Sequence, residues 1–476
     1  MSGKYRWRLL LGACLLLCSE VKVKAQNAEE ANSEARAIFK ELIEINTTDS
    51  IGNVTTAAEA MAKRLQDAGF AESDVMVAGP NERKKNMVAR FHGTGKKKPI
   101  LFIGHLDVVE ARREDWTTDP FEFVEKDGFF YGRGTEDMKE GDALLVTTFI
   151  RLKHEGFLPD RDLILALTAD EEGGESNGID WLLKEHKDWI DAEYCINLDG
   201  GEFEKLKGKR VLAGLQASEK VYADFQFETF NPGGHSSVPG AENAIYELAA
   251  ALLKLQAYSF PVKISEITRN YFSHSAELTS GKLAEDLHDV SKQPADPTAI
   301  KRLSAIPYYN SLLHTTCVAT MLSGGHAPNA LPQTAKANVN CRIFPGEAPQ
   351  EVLRTLEKVV ADPNVKVSLV PEKTSDGRLI PIVAVPASPL LPELVKTLEQ
   401  TADSMWPGLP VVASMSTGAT DGNYLRIAGM PTFGIACMFF DMEDERAHGK
   451  DERVGVQDYY EGVEFTYRFI KALATN

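Results

Sequence analysis

The chain has 476 residues, of which 43% are hydrophobic and 25% are charged, and its formal net charge is −17. This composition is that of an ordinary globular protein, and the length exceeds what one hydrophobic core usually holds, so we expect two domains. A chain this acidic is a poor partner for nucleic acid or for an anionic membrane surface. No apolar run approaches the roughly 18 residues of a transmembrane span, so none is predicted.

The N-terminus has the form of a secretory signal peptide. Basic residues within the first eight positions precede an apolar stretch at residues 9–18, and the small residue Ala25 precedes the expected cut. Removal of residues 1–25 takes the formal charge from −17 to −21, because they carry five basic and one acidic side chain. We therefore expect an exported protein, periplasmic or secreted. Residues 11–14 also resemble a lipoprotein box, but too few apolar residues precede it, so a lipid anchor is the less favoured interpretation.

The order of predicted elements indicates one domain inserted into another. Residues 30–210 alternate helical and strand patterns, as α/β sheets do. From Val221 apolar and polar residues alternate strictly, which is typical of an antiparallel strand with one face in water. The α/β pattern resumes after about Thr374. We predict a signal peptide at 1–25, an α/β domain in two parts at 26–212 and 375–476, and an inserted α+β domain at 213–374.

The segment Gly104-His105-Leu106-Asp107 closes an apolar run that predicts a buried strand. His105 and Asp107 therefore emerge at the C-terminal end of a strand, where open α/β sheets bind their ligands. Both side chains point the same way, so the carboxylate can fix the tautomer of the imidazole, as the second shell of a metal ligand does. Taken alone, the motif is better explained as a turn histidine hydrogen-bonded to an aspartate.

Further acidic or histidine residues follow later strand-like or loop segments. Taken alone, Asp137 is better explained as the N-cap of a helix. Three consecutive acids at 170–172 cost stability unless a cation or an exposed turn relieves their repulsion. The combined set has two imidazoles and three carboxylates, which suits zinc or a similar divalent metal, and two metals if one carboxylate bridges. The set is His105, Asp137, Glu172, Asp199 and His448.

The ordered motifs of the chain resemble those of one family, the co-catalytic dizinc metallopeptidases and amidohydrolases that include carboxypeptidase G, carboxypeptidase S, carnosinase, aminoacylase and succinyl-diaminopimelate desuccinylase. The match runs from about Ile38 to about Lys471. It implies a mixed-sheet zinc-exopeptidase catalytic domain with an inserted ferredoxin-like lid and dimerisation domain. The motifs are His-x-Asp, Gly-Arg-Gly-x-x-Asp-Met-Lys, Asp-Glu-Glu-Gly, Leu-Asp-Gly-Gly, Gly-Gly-His-Ser-Ser, Asn-Ala-Leu-Pro, Cys-Arg and His-Gly.

The resemblance assigns the metal ligands residue by residue. It makes His105 and Asp199 ligands of one metal, Glu172 and His448 ligands of the other, and Asp137 the bridge. It also implies a cis peptide bond between Asp137 and the next residue. The cofactors expected are two divalent ions, with Zn²⁺ favoured and Co²⁺ or Mn²⁺ as alternatives.

The same resemblance makes Glu171 the general base and Asp107 the residue that orients His105. A base must be a carboxylate beside the ligands but not one of them, and adjacent Glu171 and Glu172 can share the two tasks. Which glutamate does which follows from the family. Glu140 departs from the family pattern, which has glycine there. It lies outside the predicted ligand set, so the difference bears on the packing of the helix after Asp137 more than on metal binding or catalysis.

The inserted domain carries further matches to the family. His235 resembles the residue that hydrogen-bonds the oxyanion, and in dimeric relatives this histidine reaches the partner's active site, so we expect a homodimer. Asn329 and Arg342 match the residues that hold the substrate carboxylate, for which an arginine fork is well shaped. Gly418 lies in a loop that resembles the family's substrate-side loop, although an ordinary glycine-rich turn explains it equally well.

Four cysteines remain after residue 25, and none shows the spacing of a close pair or a metal finger. All four lie in apolar runs, so we expect buried free thiols more than a disulfide framework. They are Cys195, Cys317, Cys341 and Cys437.

The resemblance implies a carboxypeptidase-like hydrolase that cuts the amide bond of a small peptide beside a free carboxylate. An aminoacylase acting on N-acyl amino acids, or a dipeptidase, is the alternative among enzymes. A catalytically silent binding module on the same scaffold is the alternative outside enzymes. The presence of Glu171 beside the ligands argues against that module, because binding alone requires no base.

Overall fold

The computed structural model describes residues 29–173, 175–373, 377, 379–380 and 382–475. The predicted signal peptide lies outside these residues. Up to residue 219 the helices and strands are α1 (29–44), α2 (Val54–Asp67), β1 (Val75–Asn81), β2 (Lys84–Phe91), β3 (Ile100–His105), β4 (Val124–Lys126), β5 (Phe129–Tyr131), α3 (Lys139–His154), β6 (Leu163–Thr168), α4 (Gly178–Glu185), α5 (Lys187–Ile190), β7 (Tyr194–Asn197), β8 (Phe203–Leu206) and β9 (Lys209–Glu219).

The rest of the chain continues the alternation of helices and strands. Its middle part contains β10 (Val221–Phe230), β11 (Gly234–His235), α6 (Ala244–Ala257), α7 (Glu266–Leu278), α8 (Gly281–Ser291), α9 (Pro297–Leu303), α10 (Pro307–Leu313), β12 (Thr316–Gly324), β13 (Ala330–Leu331), β14 (Thr334–Ile343), α11 (Pro349–Val360) and β15 (Val365–Leu369). Its last part contains β16 (Glu372–Lys373), β17 (Leu379–Ile380), α12 (Pro392–Met405), β18 (Val411–Ser416), α13 (Gly422–Ile427), β19 (Thr432–Gly434), β20 (Phe439–Asp441), β21 (Arg453–Gly455) and α14 (Val456–Leu473).

Ten strands form a large mixed sheet in the order β1-β2-β6-β3-β7-β19-β9-β8-β20, with β18 beside β9. Strand β3 lies between β6 and β7 and runs parallel to both. All residues of β3 and β6 are buried, as expected for strands covered on both faces. Because these three parallel strands end at one edge of the sheet, the residues that follow them meet there.

A separate four-stranded antiparallel sheet has the order β12-β14-β10-β15. The alternation predicted from Val221 onward is present in β10, whose odd-numbered residues are buried. Phe225 and Phe227 pack with Leu248 of α6 and Leu356 of α11 in a core of their own. The predicted fold class is therefore confirmed: a large mixed sheet with a separate small α+β unit.

Helices α7 to α10 pack on the large-sheet unit, although the elements before and after them in the chain belong to the small-sheet unit. They follow α6 and precede β12 in the chain, yet α7 packs against β18 of the large sheet as well as against α8. Their buried residues Ile267, Phe272 and Leu303 belong to the same hydrophobic cluster as Phe203 of β8. The insert between 265 and 313 is thus packed on the large-sheet unit.

The cysteine prediction is confirmed at two positions and wrong at the other two. Cys195 and Cys437 are buried free thiols. Cys317 and Cys341, however, form a disulfide. They stand directly opposite each other on the antiparallel strands β12 and β14, with Cα atoms 4.1 Å apart. The pairing depends on the register of two strands that are distant in sequence, which the local apolar pattern does not reveal.

Among the described helices, none combines the length and the apolar character that crossing a membrane requires.

Candidate metal centre

The edge where β3, β6 and β7 end carries most of the predicted ligands. His105 is the last residue of β3, Glu171 and Glu172 lie in the turn after β6, and Asp199 follows β7 by two residues. The hydrogen-bond ladders of the three strands fix these positions relative to one another. Residues from three separate motifs are thereby brought to one place.

Asp137 lies between the two histidines. Its Oδ1 is 3.0 Å from His105 Nε2, and its Oδ2 is 2.9 Å from His448 Nε2. His448 Nε2 is also 2.8 Å from Glu172 Oε1. The peptide bond between Asp137 and Met138 is cis, as the family resemblance implied. A carboxylate that turns one oxygen toward each of two histidines has the arrangement of a bridging ligand.

Within the described residues, three groups of side chains are arranged so that each could hold a metal ion; one is His105 with Glu171 and Glu172, and the other two consist of the predicted ligands. Ligand atoms of His105, Asp137 and Asp199 lie within 4.8 Å of one another, and so do those of Asp137, Glu172 and His448. Each group offers one imidazole and two carboxylates, a donor set that zinc accepts in catalytic sites. The grouping is the one that the resemblance implied, with Asp137 shared. Metal binding by these residues stays a prediction.

The electrostatics of the cluster also fit divalent cations. Burial and the charge of Asp137 raise the pKa of Asp199 well above its usual range. Hydrogen bonds to Asp137 and Glu172 raise the pKa of His448 to about 10. Carboxylates are thus crowded into a poorly solvated place, and bound divalent cations would neutralise them.

Glu171 stands beside the ligand groups. Its carboxylate lies within 4.8 Å of ligand atoms of His105 and Glu172. Burial is the largest cause that raises the pKa of Glu171 well above its usual range; His105 opposes the shift, while Asp199 and other acids add to it. Desolvation and neighbouring acids are the usual means by which a glutamate acquires proton affinity suited to acid–base catalysis.

Asp107 contacts His105 through an atom that the sequence argument did not anticipate. The backbone carbonyl of Asp107 is 3.0 Å from His105 Nδ1, whereas its carboxylate is 3.8 Å away. The carboxylate instead accepts the backbone N–H groups of Glu171 and Glu172, at 3.1 and 3.0 Å. Asp107 therefore holds both the imidazole and the glutamate pair.

Arg133 and Glu452 are functional candidates that the sequence argument did not single out. Glu452 is fully buried, and its carboxylate accepts the N–H groups of Glu136 and Asp137 and pairs with Arg133. Arg133 also donates to the carbonyls of His448 and Gly449. The pair fastens the Asp137 loop to the His448 loop. The sequence offered one signal for each residue: Arg133 lies inside the Gly-Arg-Gly motif, and Glu452 follows His448 by four residues.

The residues predicted for substrate binding fall into two places. Arg342 on β14 lies over the ring of Tyr222, 4.8 Å from its centroid, and lines the same cleft as Glu171. Gly418 donates its N–H to Ser416 in the loop whose next residues also line this cleft. The structure therefore places Arg342 and the Gly418 loop on the cleft that Glu171 and Glu172 also line.

His235 and Asn329 lie together elsewhere on the small-sheet unit. His235 is exposed on β11, and its Nδ1 is 2.6 Å from the hydroxyl of Ser237. The exposed Asn329 accepts the backbone N–H of Ser236. In the part of the chain that the structure describes, the hydrogen bonds of His235 are local, and none joins it to a predicted metal ligand.

The cleft beside Glu171 has a volume of about 1090 Å³ and passes between the two units. Asp421 lines it and is held by the hydroxyl of Thr168 and the amide of Asn177. Much of the remaining wall is apolar, formed by Val221, Val370, Ile382, Val383, Val385, Tyr424 and Ile427. The cleft offers a cation, a carboxylate cluster and an extended apolar surface.

A mixed α/β sheet with an inserted antiparallel sheet, and His, Asp and Glu gathered at the strand ends, defines a class of metallohydrolases. The chain belongs to the peptidase family M20/M25/M40, whose sequence model matches residues 101–472. The predicted family is therefore confirmed, and the chain is a metal-dependent hydrolase of peptide or amide bonds.

The chain is similar to human N-fatty-acyl-amino acid synthase/hydrolase PM20D1, with 27% identity over 389 residues, covering 80% of this chain and 75% of that protein. It is 29% identical over 385 residues to the Dictyostelium discoideum protein named probable carboxypeptidase S-like 2, covering 79% and 71%. Among solved structures, the M20 family metallo-carboxypeptidase Sso-CP2 from Sulfolobus solfataricus superposes with a TM-score of 0.68 at 16% identity, covering 92% of this chain and 98% of that one. This likeness shows the shared fold.

Proposed function

We propose that the chain is a carboxypeptidase-like exopeptidase that hydrolyses the amide bond next to a free carboxylate. The observation that carries the proposal is the cleft that Glu171, Glu172 and Arg342 line together, with the other candidate ligands clustered around Glu171 and Glu172. The guanidinium of Arg342 would bind the substrate carboxylate, and the scissile bond would then lie toward Glu171. Peptides with a free C-terminus meet this requirement.

In this proposal His105 and Asp199 would hold one divalent ion, Glu172 and His448 would hold a second, and Asp137 would contribute to both sites. The ions, Zn²⁺ in the first place, would polarise the scissile carbonyl and lower the pKa of water. Glu171 takes the proton from the attacking water and later gives it to the leaving amine nitrogen. The carboxylate of Asp107 keeps Glu171 in place through its backbone N–H.

A second candidate substrate class is the N-acyl amino acids with a long acyl chain. The apolar wall of the cleft, including Val370, Ile382 and Ile427, supports it, because this wall would bury an aliphatic chain. Such a substrate also ends in a free carboxylate, so the proposed role of Arg342 is unchanged. The similarity to a protein named N-fatty-acyl-amino acid synthase/hydrolase points to the same class.

A substrate panel tests both candidates. N-blocked dipeptides, their C-terminal amides, and short-chain and long-chain N-acyl amino acids are incubated with the protein loaded with Zn²⁺, Co²⁺ or Mn²⁺. We expect hydrolysis of the free acids, little hydrolysis of the amides, and loss of activity with a chelator. A higher kcat/KM for long acyl chains than for dipeptides favours the second candidate. Equal hydrolysis of acids and amides contradicts the proposed role of Arg342.

We also propose that the protein is exported. The N-terminal sequence supports this, and so does the Cys317–Cys341 disulfide, since disulfides persist mainly in oxidising compartments. Fractionation of the expressing cells, together with N-terminal sequencing of the mature protein, checks export and the cleavage site. Full-length protein retained in a reducing compartment contradicts it.

We propose a homodimer formed through the small sheet. Strand β12 is the edge of that sheet, and it exposes the apolar side chains of Val318, Met321 and Leu322. An exposed edge strand with apolar side chains readily pairs with a second chain. Light scattering after size exclusion measures the mass, and a monomer at micromolar concentration contradicts the proposal.

A further inference from the structure

The turn that carries Glu171 and Glu172 is built around the carboxylate of Asp170. Asp170 is 1% exposed and has a left-handed backbone with φ of 64°. Its Oδ2 accepts the backbone N–H of Ser176 at 2.5 Å, which closes the turn. A Cβ atom at Gly173 would lie 2.3 Å from Oδ1, so the turn passes too close to this carboxylate to accommodate a side chain there.

Lys84 reaches this carboxylate from another part of the fold. Its Nζ is 2.6 Å from Asp170 Oδ1 and 2.6 Å from Asp49 Oδ1. The side chain of Lys84 is 16% exposed and that of Asp170 is 2% exposed. The ammonium therefore joins the first residue of β2 to the glutamate turn and to the loop that follows α1.

The glutamate pair is held from two directions. On one side the carboxylate of Asp107 accepts the N–H groups of Glu171 and Glu172. On the other side Lys84 holds Asp170, the residue that immediately precedes the pair. A buried charge that loses its partner becomes uncompensated, so the turn would rearrange if the ammonium were removed.

We propose that Lys84 is a positioning residue for the hydrolysis, acting on Glu171 and Glu172 through Asp170. The inference rests on the proposed function, in which these glutamates are the base and a metal ligand. Catalytic groups lose much of their effect when they move by about 0.5–1 Å. The ion pair between Lys84 and Asp170 therefore determines how accurately the carboxylate of Glu171 is positioned.

The proposed role of Lys84 predicts that its loss affects the two metal sites differently. In the proposed arrangement Glu172 would hold one metal with Asp137 and His448, whereas His105, Asp137 and Asp199, which would hold the other, all lie outside the turn. Loss of Lys84 should therefore weaken one equivalent of metal and lower kcat. The KM should change little, because Arg342, which is proposed to bind the substrate carboxylate, is held by β14 and not by the turn.

The test compares Lys84→Met with Lys85→Met in the full mature protein. Lys85 is the adjacent lysine of β2, and it pairs with Glu82, whose side chain is 93% exposed. The metal-free proteins are titrated with Zn²⁺, and kcat and KM are measured on the best substrate of the panel. We expect Lys85→Met to bind two equivalents of Zn²⁺, each with the same affinity as in the wild type. For Lys84→Met we expect one equivalent to weaken and kcat to fall, each by about 10–100-fold, with rescue by Lys84→Arg.

A second variant separates positioning from misfolding. Lys84→Met leaves Asp170 buried without its cation, so Lys84→Met with Asp170→Asn is measured alongside, after circular dichroism confirms a native spectrum. The proposal predicts the same asymmetric metal loss and low kcat in the double variant. Equal behaviour of Lys84→Met and Lys85→Met overturns it, and so does equal weakening of both metals. A wild-type protein that binds no metal and hydrolyses nothing overturns the proposed function itself.

Discussion

Two consecutive glutamates in one turn have different surroundings. Glu172 contacts His448 at 2.8 Å, while Glu171 is buried and the charged groups that influence its pKa are His105 and other acids. Their backbone N–H groups share one acceptor, the carboxylate of Asp107. A common anchor with divergent side chains allows one glutamate to bind metal and the other to remain free for proton transfer.

This division leads to a test of Glu171 by the isosteric change Glu171→Gln. The amide keeps the shape of the side chain but does not take a proton, so we expect metal content to be unchanged and kcat to fall by about 10²–10⁴. Metal analysis and steady-state kinetics measure the two effects. Glu175→Gln, in the same turn, is the matched control, and near-normal turnover by Glu171→Gln would refute the assignment.

Lys220 gives the protein a predicted pH dependence of stability. It is fully buried, its Nζ donates to the carbonyl of His314 at 2.7 Å, and burial followed by the charge of Arg342 lowers its pKa to about 7. Between this value and the unfolded pKa of about 10.4, the unfolded chain binds the additional proton, so stability rises with pH. Below pH 7 Lys220 is protonated in both the folded and the unfolded protein, and the free-energy cost of burying its charge is fully present.

We therefore expect the wild type to gain stability relative to Lys220→Met as pH rises from 7 to 10. The gain is at most about 1.4 kcal/mol per pH unit. Urea unfolding of both proteins at several pH values measures it. Parallel pH profiles of the two proteins would show that Lys220 does not carry a shifted pKa.

At the level of elements, local sequence patterns predicted individual strands, but they did not predict how those strands pair. The apolar run of β3 and the alternation of β10 identified both strands before their partners were known. The opposition of Cys317 and Cys341 was not predictable, because it depends on the register between β12 and β14. The same holds for Glu452, whose buried role requires the contact with Arg133, more than 300 positions earlier in the sequence.

The disulfide should stabilise the small sheet, because it closes a loop with a sequence separation of 24. Replacement of both cysteines by alanine should lower the free energy of unfolding by about 3 kcal/mol, mainly through the entropy of the unfolded chain. Denaturant unfolding of the oxidised protein and the double variant measures this. Cys195→Ala is the control for a buried thiol without a disulfide, and equal stability of the oxidised protein and the double variant contradicts the expectation.

At the level of the whole molecule, the ligand cluster and the exposed His235 belong to different units. The family motifs named five candidate ligands from separate motifs, and the structure brings these five side chains close together, although their binding of metal stays a prediction. Whether His235 serves its own chain or a partner depends on assembly, which no motif within one chain determines.

Complementation between two inactive proteins tests the predicted homodimer. His235→Ala and Glu171→Gln should each have low activity, and mixing them under subunit exchange should restore one good site per mixed dimer. The restored site combines Glu171 of one chain with the intact histidine of the other, placed within about 2.7–3.1 Å of the developing oxyanion. Absence of recovery, with exchange verified by differently tagged subunits, means that His235 acts within its own chain or not at all.

The packing of α7 against β18 has a consequence for biosynthesis. The apolar side chains of Ile267 and Phe272 emerge from the ribosome well before their partner strand at Val411–Ser416 has been made. Until then the helix can pack against α8, which follows it directly in the chain, but the contacts with the distant strand β18 form late. We therefore expect the nascent chain to expose part of this apolar surface until β18 is made, which favours aggregation during overproduction.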